Sequence, residues 1–206
     1  MKRAPTRRGT VILAAGDFPK RGGRAWQVLA AAQRVIACDS AGDAYRRRFR
    51  KWPDLTIGDL DSFEGERTDA SVLRVEDQST NDLSKAIASC RAQGWDDLVI
   101  VGATGKREDH SIGNVYRALA AQVPIVTDYG TFHPVCGQAT FHAPKDTGVS
   151  VFAPDPKTRM TSRGLKWKLD GVRFENAWCA TLNRTSAKVF SVTSTRPVFV
   201  FIAHEK

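Results

Sequence analysis

The feature that most constrains this chain is an alternation. Over roughly its first 130 residues, short apolar runs take turns with helical patterns, and after Thr131 that rhythm stops. The runs "TVILAAG" (10–16), "RVIACDS" (34–40), "DLTIGD" (54–59), "DLVIVGATG" (97–105) and "VPIVT" (123–127) read as strands. Near-continuous apolar strands of this kind are buried on both faces. Between them lie a helical pattern with Trp26, Leu29, Ala30 and Gln33, then "AGDAYRRRFRKW" (41–52), "STNDLSKAIASCRAQG" (79–94) and "NVYRALAAQ" (114–122). In the clearest helix, Ser79 or Thr80 is expected to cap the start, Leu83, Ala86, Ile87 and Cys90 form one face, and Gly94 ends it. Strands alternating with helices predict an α/β domain with a mainly parallel, Rossmann-like sheet covered on both faces.

Beyond Thr131 the segments become short and alternating: "QATFHA", "GVSVFAP", "LKWKL", "AKVFSVTS" and "PVFVFIA", with Pro144, Asp146, Gly148, Pro154, Pro156 and Gly171 between them. This pattern predicts an all-β antiparallel sandwich or barrel. The expected division is therefore residues 1–132 and 133–206.

No apolar stretch approaches the roughly 20 residues that span a membrane. The apolar run after the basic "MKRAPTRRGT" is too short for the core of a signal peptide, so the expected location is the cytoplasm. Cys38, Cys90, Cys136 and Cys179 form no C-x-x-C pair and are expected to be buried free thiols. A net charge of +9 suggests a polyanionic partner, either nucleic acid or a phosphorylated small molecule. The densest basic run, Tyr45–Lys51, reads as a solvated helix face.

The acids collect where the predicted strands end. Asp39 closes the second strand, Asp59 and Asp61 the third, Asp82 opens the helix from Ser79 with Asp77 and Gln78 just before it, and Asp109 follows the turn after the fourth strand. Ligands of parallel sheets sit at those carboxyl ends. Two carboxylates about 4 Å apart repel by roughly 4 kcal/mol at an effective dielectric of 20. A hard divalent cation offsets that repulsion, and Mg²⁺ takes carboxylates, waters and phosphate oxygens together. "GDLDS" (58–62) therefore reads as a Mg²⁺ holder at a phosphate site, with the positive charge elsewhere. The turn "GATGKR" (102–107) offers backbone N–H groups, Lys106 and Arg107 to phosphates, although it is neither a Walker A loop nor a G-x-G-x-x-G turn.

With these motifs in hand, the chain resembles the thiamine pyrophosphokinase family. "GDLDS" is similar to the family's Gly-Asp-Phe/Leu-Asp-Ser, "DQSTNDLSKAI" (77–87) to its Asp-x-x-x-Thr-Asp helix start, "GATGKREDH" (102–110) to its Gly-Ala-x-Gly-Gly-Arg-x-Asp-His, and "GLKWKL" (164–169) to its Gly-Leu-Lys-Trp/Tyr-x-Leu. The order and spacing hold from about residue 11 to the C-terminus. The resemblance implies transfer of the β,γ-pyrophosphoryl group of ATP to the hydroxyl of thiamine. It also implies an α/β domain, a β-sandwich, and a homodimer with active sites between the domains of opposite subunits.

On this resemblance Asp59, Asp61 and Asp82 bind Mg²⁺, and Gln78 orients phosphate. Asp39 and Asp109 complete an acidic pocket, and Thr104, Gly105, Arg107 and His110 lie on the ATP side. His110 can serve as a base or as a structural hydrogen-bonding group, while His133, His142 and His204 show no ligand spacing. In the second domain Trp167 can stack on a cationic ring or fill the sandwich core, and Asn183 is the match to an acceptor-touching asparagine. The chain departs from the family at "CDSA" (38–41), where Ala-Asp-Gly-Gly is usual, at Lys106, where a glycine is usual, and at Leu182, where a serine precedes the asparagine.

There are two rival readings. An aspartate-nucleophile phosphatase box superficially fits Asp59–Ser62, but the acid pair Asp96–Asp97 precedes a strand where that family needs one to follow. A nucleic-acid-binding protein would explain the charge, but the aromatics sit at core-like positions and are not interleaved with the basic residues.

Overall fold

The computed structural model describes residues 8–58, 72–75 and 80–204. Asp59, Asp61, Asp77, Gln78 and Ser79 lie outside them. The chain has an α/β-type fold with both parallel and antiparallel strand pairing, and it divides into two compact units. One unit runs through Arg117 and takes in Ile125–Asp128; the other holds Ala118–Pro124 and the chain from Tyr129 onward.

The first unit contains β1 (Arg8–Leu13), α1 (Arg24–Ala30), β2 (Ala32–Cys38), α2 (Ala41–Phe49), β3 (Leu55–Gly58), β4 (Val72–Arg74), α3 (Asp82–Ala92), β5 (Leu98–Val101) and β6 (Ile125–Val126). The helix α4 (Glu108–Ala120) runs from this unit into the other. Every strand pair in the unit is parallel: β1 lies between β2 and β5, β3 follows β2, β4 follows β3, and β6 flanks β5. The pleat sends alternate residues to opposite faces. On one face Val11, Leu13, Val35, Ala37, Val99 and Val101 pack against Ala25, Val28 and Leu29 of α1 and Ala41 and Tyr45 of α2. The other parity carries Ile12, Ile36, Cys38, Ile57 and Ile100, and α3 packs against β1, β2 and β3 with Leu83, Ala86, Ile87 and Cys90 buried. Each fully buried Leu, Ile or Val contributes roughly 1.5–3 kcal/mol, which fixes the sheet and hence its strand ends.

Several local expectations change. The N-cap of α3 is Asn81, whose Oδ1 accepts from Ser84 N at 3.0 Å, so Thr80 is not the cap. Gln33 belongs to β2, because the helical pattern before it ends at Ala30. The helix α4 begins at Glu108, six residues ahead of the pattern read from sequence.

The second unit is built from antiparallel strands: β7 (Gly130–His142), β8 (Gly148–Phe152), β9 (Met160–Arg163), β10 (Ala180–Arg184) and β11 (Val189–Ala203). The long β11 pairs with β7 along most of its length, with β9 near its start and with β8 near its end. A register shift between Ser194 and Val198 separates the two halves. Phe190 and Val192 before the shift and Val198 and Val200 after it enter one core with Val149, Val151, Met160, Leu165, Leu169 and Phe174. "LKWKL" is not a strand: it is irregular, with a single bridge from Leu165 to Thr185. Its alternation is real in burial, since Leu165 and Leu169 are buried while Trp167 is 53% exposed, so Trp167 is not a core residue. Cys38 and Cys90 are buried free thiols, but Cys136 and Cys179 are exposed. No described helix is long and apolar enough to cross a membrane.

Candidate active site

The parallel sheet determines where a ligand can sit. The chain steps outward from β1 to β2 on one side and later to β5 on the other, so the carboxyl ends of β1 and β5 mark the switch point at which ligands of such sheets sit. A cleft of about 320 Å³ opens there. Residues 14–16 after β1, Asp82 and Lys85 of α3, Gly105, Lys106 and Arg107 after β5, and His110 and Asn114 of α4 line it.

Backbone contacts shape this cleft. Gly16 N donates to Gly102 O and Asp17 N to Thr104 O, each at 2.8 Å. A Cβ on Gly16 would collide with the Thr104 and Gly102 carbonyls, and one on Gly105 (φ +84) with the Asp17 carboxylate. Asn81 Nδ2 donates to Asn114 Oδ1 at 3.1 Å, and Asn114 Nδ2 donates to Ala103 O at 3.0 Å. This chain of amides ties the start of α3 and α4 to the end of β5. Sequence reading missed both asparagines; the signal was Asn81 three residues before Ser84, the N-cap spacing.

Of the residues expected at the site, the structure brings Asp82, Gly105, Arg107 and His110 together around the cleft. Asp39, Thr104 and Asp109 do not line it, and Asp59, Asp61 and Gln78 lie outside the described residues. Asp39 ends β2 with φ +44 beside Gly58, where an added Cβ would lie 3.0 Å from that of Asp39. The glycine opening "GDLDS" thus packs tightly against its neighbour. Ser40 and Ala41 stand where glycines are usual in the resembling family, and Ser40 has an ordinary right-handed backbone (φ −56). Asp109 and Arg107 form a bidentate pair, with Arg107 Nη2 2.6 Å and Nε 3.1 Å from the two carboxylate oxygens. The hydrogen-bonding guanidinium holds the exposed Asp109 carboxyl below the usual carboxylate range.

The charge at the cleft corrects one expectation. Among the described lining residues Lys85, Lys106 and Arg107 stand against Asp82, so cations are concentrated at the site and not only elsewhere. Lys106 occupies a left-handed backbone (φ +57) and donates from Nζ to Ala15 O at 2.8 Å. Asp82 accepts from Lys85 Nζ at 3.1 Å through Oδ1. Its Oδ2 has no hydrogen-bonding partner among the described residues. Cys38 also lines the cleft, and burial pushes its thiol up, so it is neutral and not a nucleophile. The basic run of α2 is placed away from this lining: Arg46 lies over Trp52 at 4.3 Å and Arg48 over Phe18 at 4.2 Å.

In the second unit Asn183 is 5% exposed, and backbone groups engage both ends of its amide. Its Oδ1 accepts from Trp167 N at 3.2 Å and Arg184 N at 2.8 Å, and its Nδ2 donates to Trp167 O at 2.6 Å. Asn183 therefore positions the Trp167 segment. Lys166 Nζ lies 4.8 Å from the centre of the Trp167 ring. Leu182, next to Asn183, is 84% exposed at φ +63, inside a register shift of β10 against β8.

A cation-rich cleft at parallel strand ends, with a carboxylate at a helix start, is the setting of an enzyme that handles phosphate groups. Comparison with known proteins narrows this. The family model described as the thiamin pyrophosphokinase catalytic domain matches residues 25–127, and that of the substrate-binding domain matches residues 130–201. The protein "Thiamin pyrophosphokinase 1" of Caenorhabditis elegans is 25% identical over 175 residues, covering 75% of this chain and 72% of the relative. Among solved structures, thiamin pyrophosphokinase from Candida albicans matches with a TM-score of 0.77 at 14% identity, over 97% of this chain and 90% of that one. A thiamin pyrophosphokinase family protein from Enterococcus faecalis gives 0.76 at 15% identity, over 98% and 100%. The structural matches share the fold. The chain belongs to the thiamin pyrophosphokinase family and is an ATP-dependent kinase. Neither the phosphatase nor the nucleic-acid reading finds support.

Proposed function

We infer that the protein is a thiamine diphosphokinase: it moves the β,γ-pyrophosphoryl group of ATP onto the hydroxyl of thiamine, giving AMP and thiamine diphosphate. The observation that carries this reading is the cleft at the ends of β1 and β5, where Lys85, Lys106 and Arg107 gather beside Asp82 in a chain matched by both family domains. Transfer of this kind rests on positioning and charge neutralisation more than on covalent chemistry by the protein.

In this reading residues 1–132 bind the nucleotide, and residues 133–206 form a β-sandwich that binds the acceptor. The single core that both halves of β11 enter, on either side of its register shift, supports the sandwich. Asp82 suits a hard cation, because its Oδ2 is an oxygen donor with no partner among the described residues. Asp59 and Asp61, from the "GDLDS" that resembles the family motif, are assigned as the further Mg²⁺ ligands. When bound, Mg²⁺ neutralises phosphate charge. Gln78 orients a phosphate oxygen. Lys106 and Arg107 attract the triphosphate, with Thr104, Gly105 and His110 contributing to the turn that receives it. Asp39 holds the start of "GDLDS" through its contact with Gly58, and Asp109 orients Arg107.

The exposed Trp167 ring stacks on the thiazolium or pyrimidine ring of the acceptor, with Asn183 fixing the segment that carries it. The working form is a cytoplasmic homodimer. Incubation with ATP, Mg²⁺ and thiamine tests the reaction: AMP with thiamine diphosphate is expected. ADP would make the protein an ordinary kinase, and free phosphate would make it a phosphatase. Sedimentation at the dimer mass tests the assembly.

A further inference from the structure

Lys85 is a buried charge to which the reading above gives no ligand. Its side chain is 6% exposed, and its Nζ lies 3.1 Å from Asp82 Oδ1, one turn earlier on α3. An ammonium carries three donors. Among the described residues Asp82 is its only hydrogen-bond partner. Lysine is almost never this buried unless paired, and a buried cation with unfilled donors is unfavourable. Lys85 also lines the cleft, so its remaining donors border space that a ligand can enter.

The other cations of the cleft differ. Lys106 and Arg107 are exposed, Lys106 bonded to Ala15 O and Arg107 to Asp109. Of the three, Lys85 alone is held on a helix by burial. A donor fixed in advance needs no reorganisation when a phosphate arrives.

We propose that Lys85 binds a non-bridging phosphate oxygen of the nucleoside triphosphate, with Asp82 holding the ammonium in place. This rests on the pyrophosphoryl-transfer reading. In the reaction the acceptor hydroxyl oxygen bonds to the β-phosphorus, and the bond from that phosphorus to the α–β bridging oxygen breaks. The electron pair leaves with AMP, and the hydroxyl proton passes to solvent. Lys85 acts by charge alone.

The test is calorimetric titration of the full chain and of Lys85→Met, which keeps most of the side-chain volume, with ATP and separately with adenosine. Each titration is run in EDTA and again with Mg²⁺. The expected result is an ATP dissociation constant raised about ten- to a hundredfold in both conditions, with adenosine binding unchanged. ATP affinity equal in the two proteins overturns the proposal. So does an equal loss for ATP and adenosine, because it means Lys85 only maintains the fold. If Lys85→Met does not fold, Lys85→Gln replaces it under the same criteria. Formation of AMP by the unaltered protein is scored separately. Its absence overturns the transfer reading, whereas its presence with unchanged ATP affinity in the variant overturns only the role of Lys85.

Discussion

The cleft at the ends of β1 and β5 and the Trp167 segment are built in different ways. The cleft is backbone work: the loops after β1 and β5 are joined by main-chain hydrogen bonds, and the strands beneath are buried on both faces. The Trp167 segment is irregular, anchored by Leu165 and Leu169 in the core and by a few bonds on either side, while Trp167's own backbone N–H and C=O both meet the amide of Asn183. A backbone-built site tolerates changes of side chain. Lys106 stands at a left-handed position where the resembling family has glycine, and its bond to Ala15 O offsets part of the backbone strain. A residue whose two backbone groups meet one side chain has no such reserve.

The largest expected effect lies on the cleft side. Asp61→Asn should lower turnover by roughly 10³-fold or more, about 4 kcal/mol, with the melting temperature nearly unchanged. Near-normal activity at low millimolar Mg²⁺ would remove Asp61 from the metal assignment.

Asn183→Ala should lower stability by roughly 2–4 kcal/mol. It leaves Trp167 N, Trp167 O and Arg184 N without the partner they share, in a 5% exposed position. The Michaelis constant for thiamine should rise and that for ATP should stay. Equal effects on both substrates, or no loss of stability, would mean that the amide is not what holds the acceptor segment.

Trp167→Ala should raise the Michaelis constant for thiamine about tenfold, equivalent to roughly 1.4 kcal/mol of stacking and cation–π attraction. Because the ring is 53% exposed, melting should change far less than the roughly 3–5 kcal/mol of a core tryptophan. A folded variant with an unchanged constant for thiamine would take Trp167 out of the site.

The same contrast explains what the sequence disclosed. The strands β1, β2, β3 and β5 are apolar runs that end at turn residues, so burial alone reveals them. The short β9 and β10, "MTSR" and "ATLNR", carry too much polar surface to show the pattern. The strand β11 reads as two pieces because Arg196 and Pro197 look like a turn, whereas the chain absorbs them in a register shift and continues. Asp82, Gly105, Arg107 and His110 are legible as cleft residues because motif spacing carries turns and helix starts to strand ends. Lys85, Asn81 and Asn114 are not, since a lysine or asparagine on a helix becomes distinctive only when its burial and partners are known.

The smallest effect concerns Leu182, the departure on the acceptor side. A leucine at φ +63 is strained, and at 84% exposure it recovers almost no burial in this chain. The left-handed conformation costs an L-residue roughly 1–2 kcal/mol, and glycine in a strand gives back about 0.5–1 kcal/mol through its extra freedom when unfolded. Leu182→Gly should therefore raise stability by up to about 1 kcal/mol, visible as a small rise in melting temperature. The register shift of β10 is what turns the side chain outward, and bulges gather where a side chain must be re-aimed. If the exposed leucine contacts the acceptor, the stabilised variant should bind thiamine a few-fold less well while its constant for ATP stays put. A gain in stability with no change for thiamine would make Leu182 a strained surface residue and leave the acceptor face to Trp167 alone. A loss of stability that grows with protein concentration would place Leu182 in a contact between copies of the chain instead.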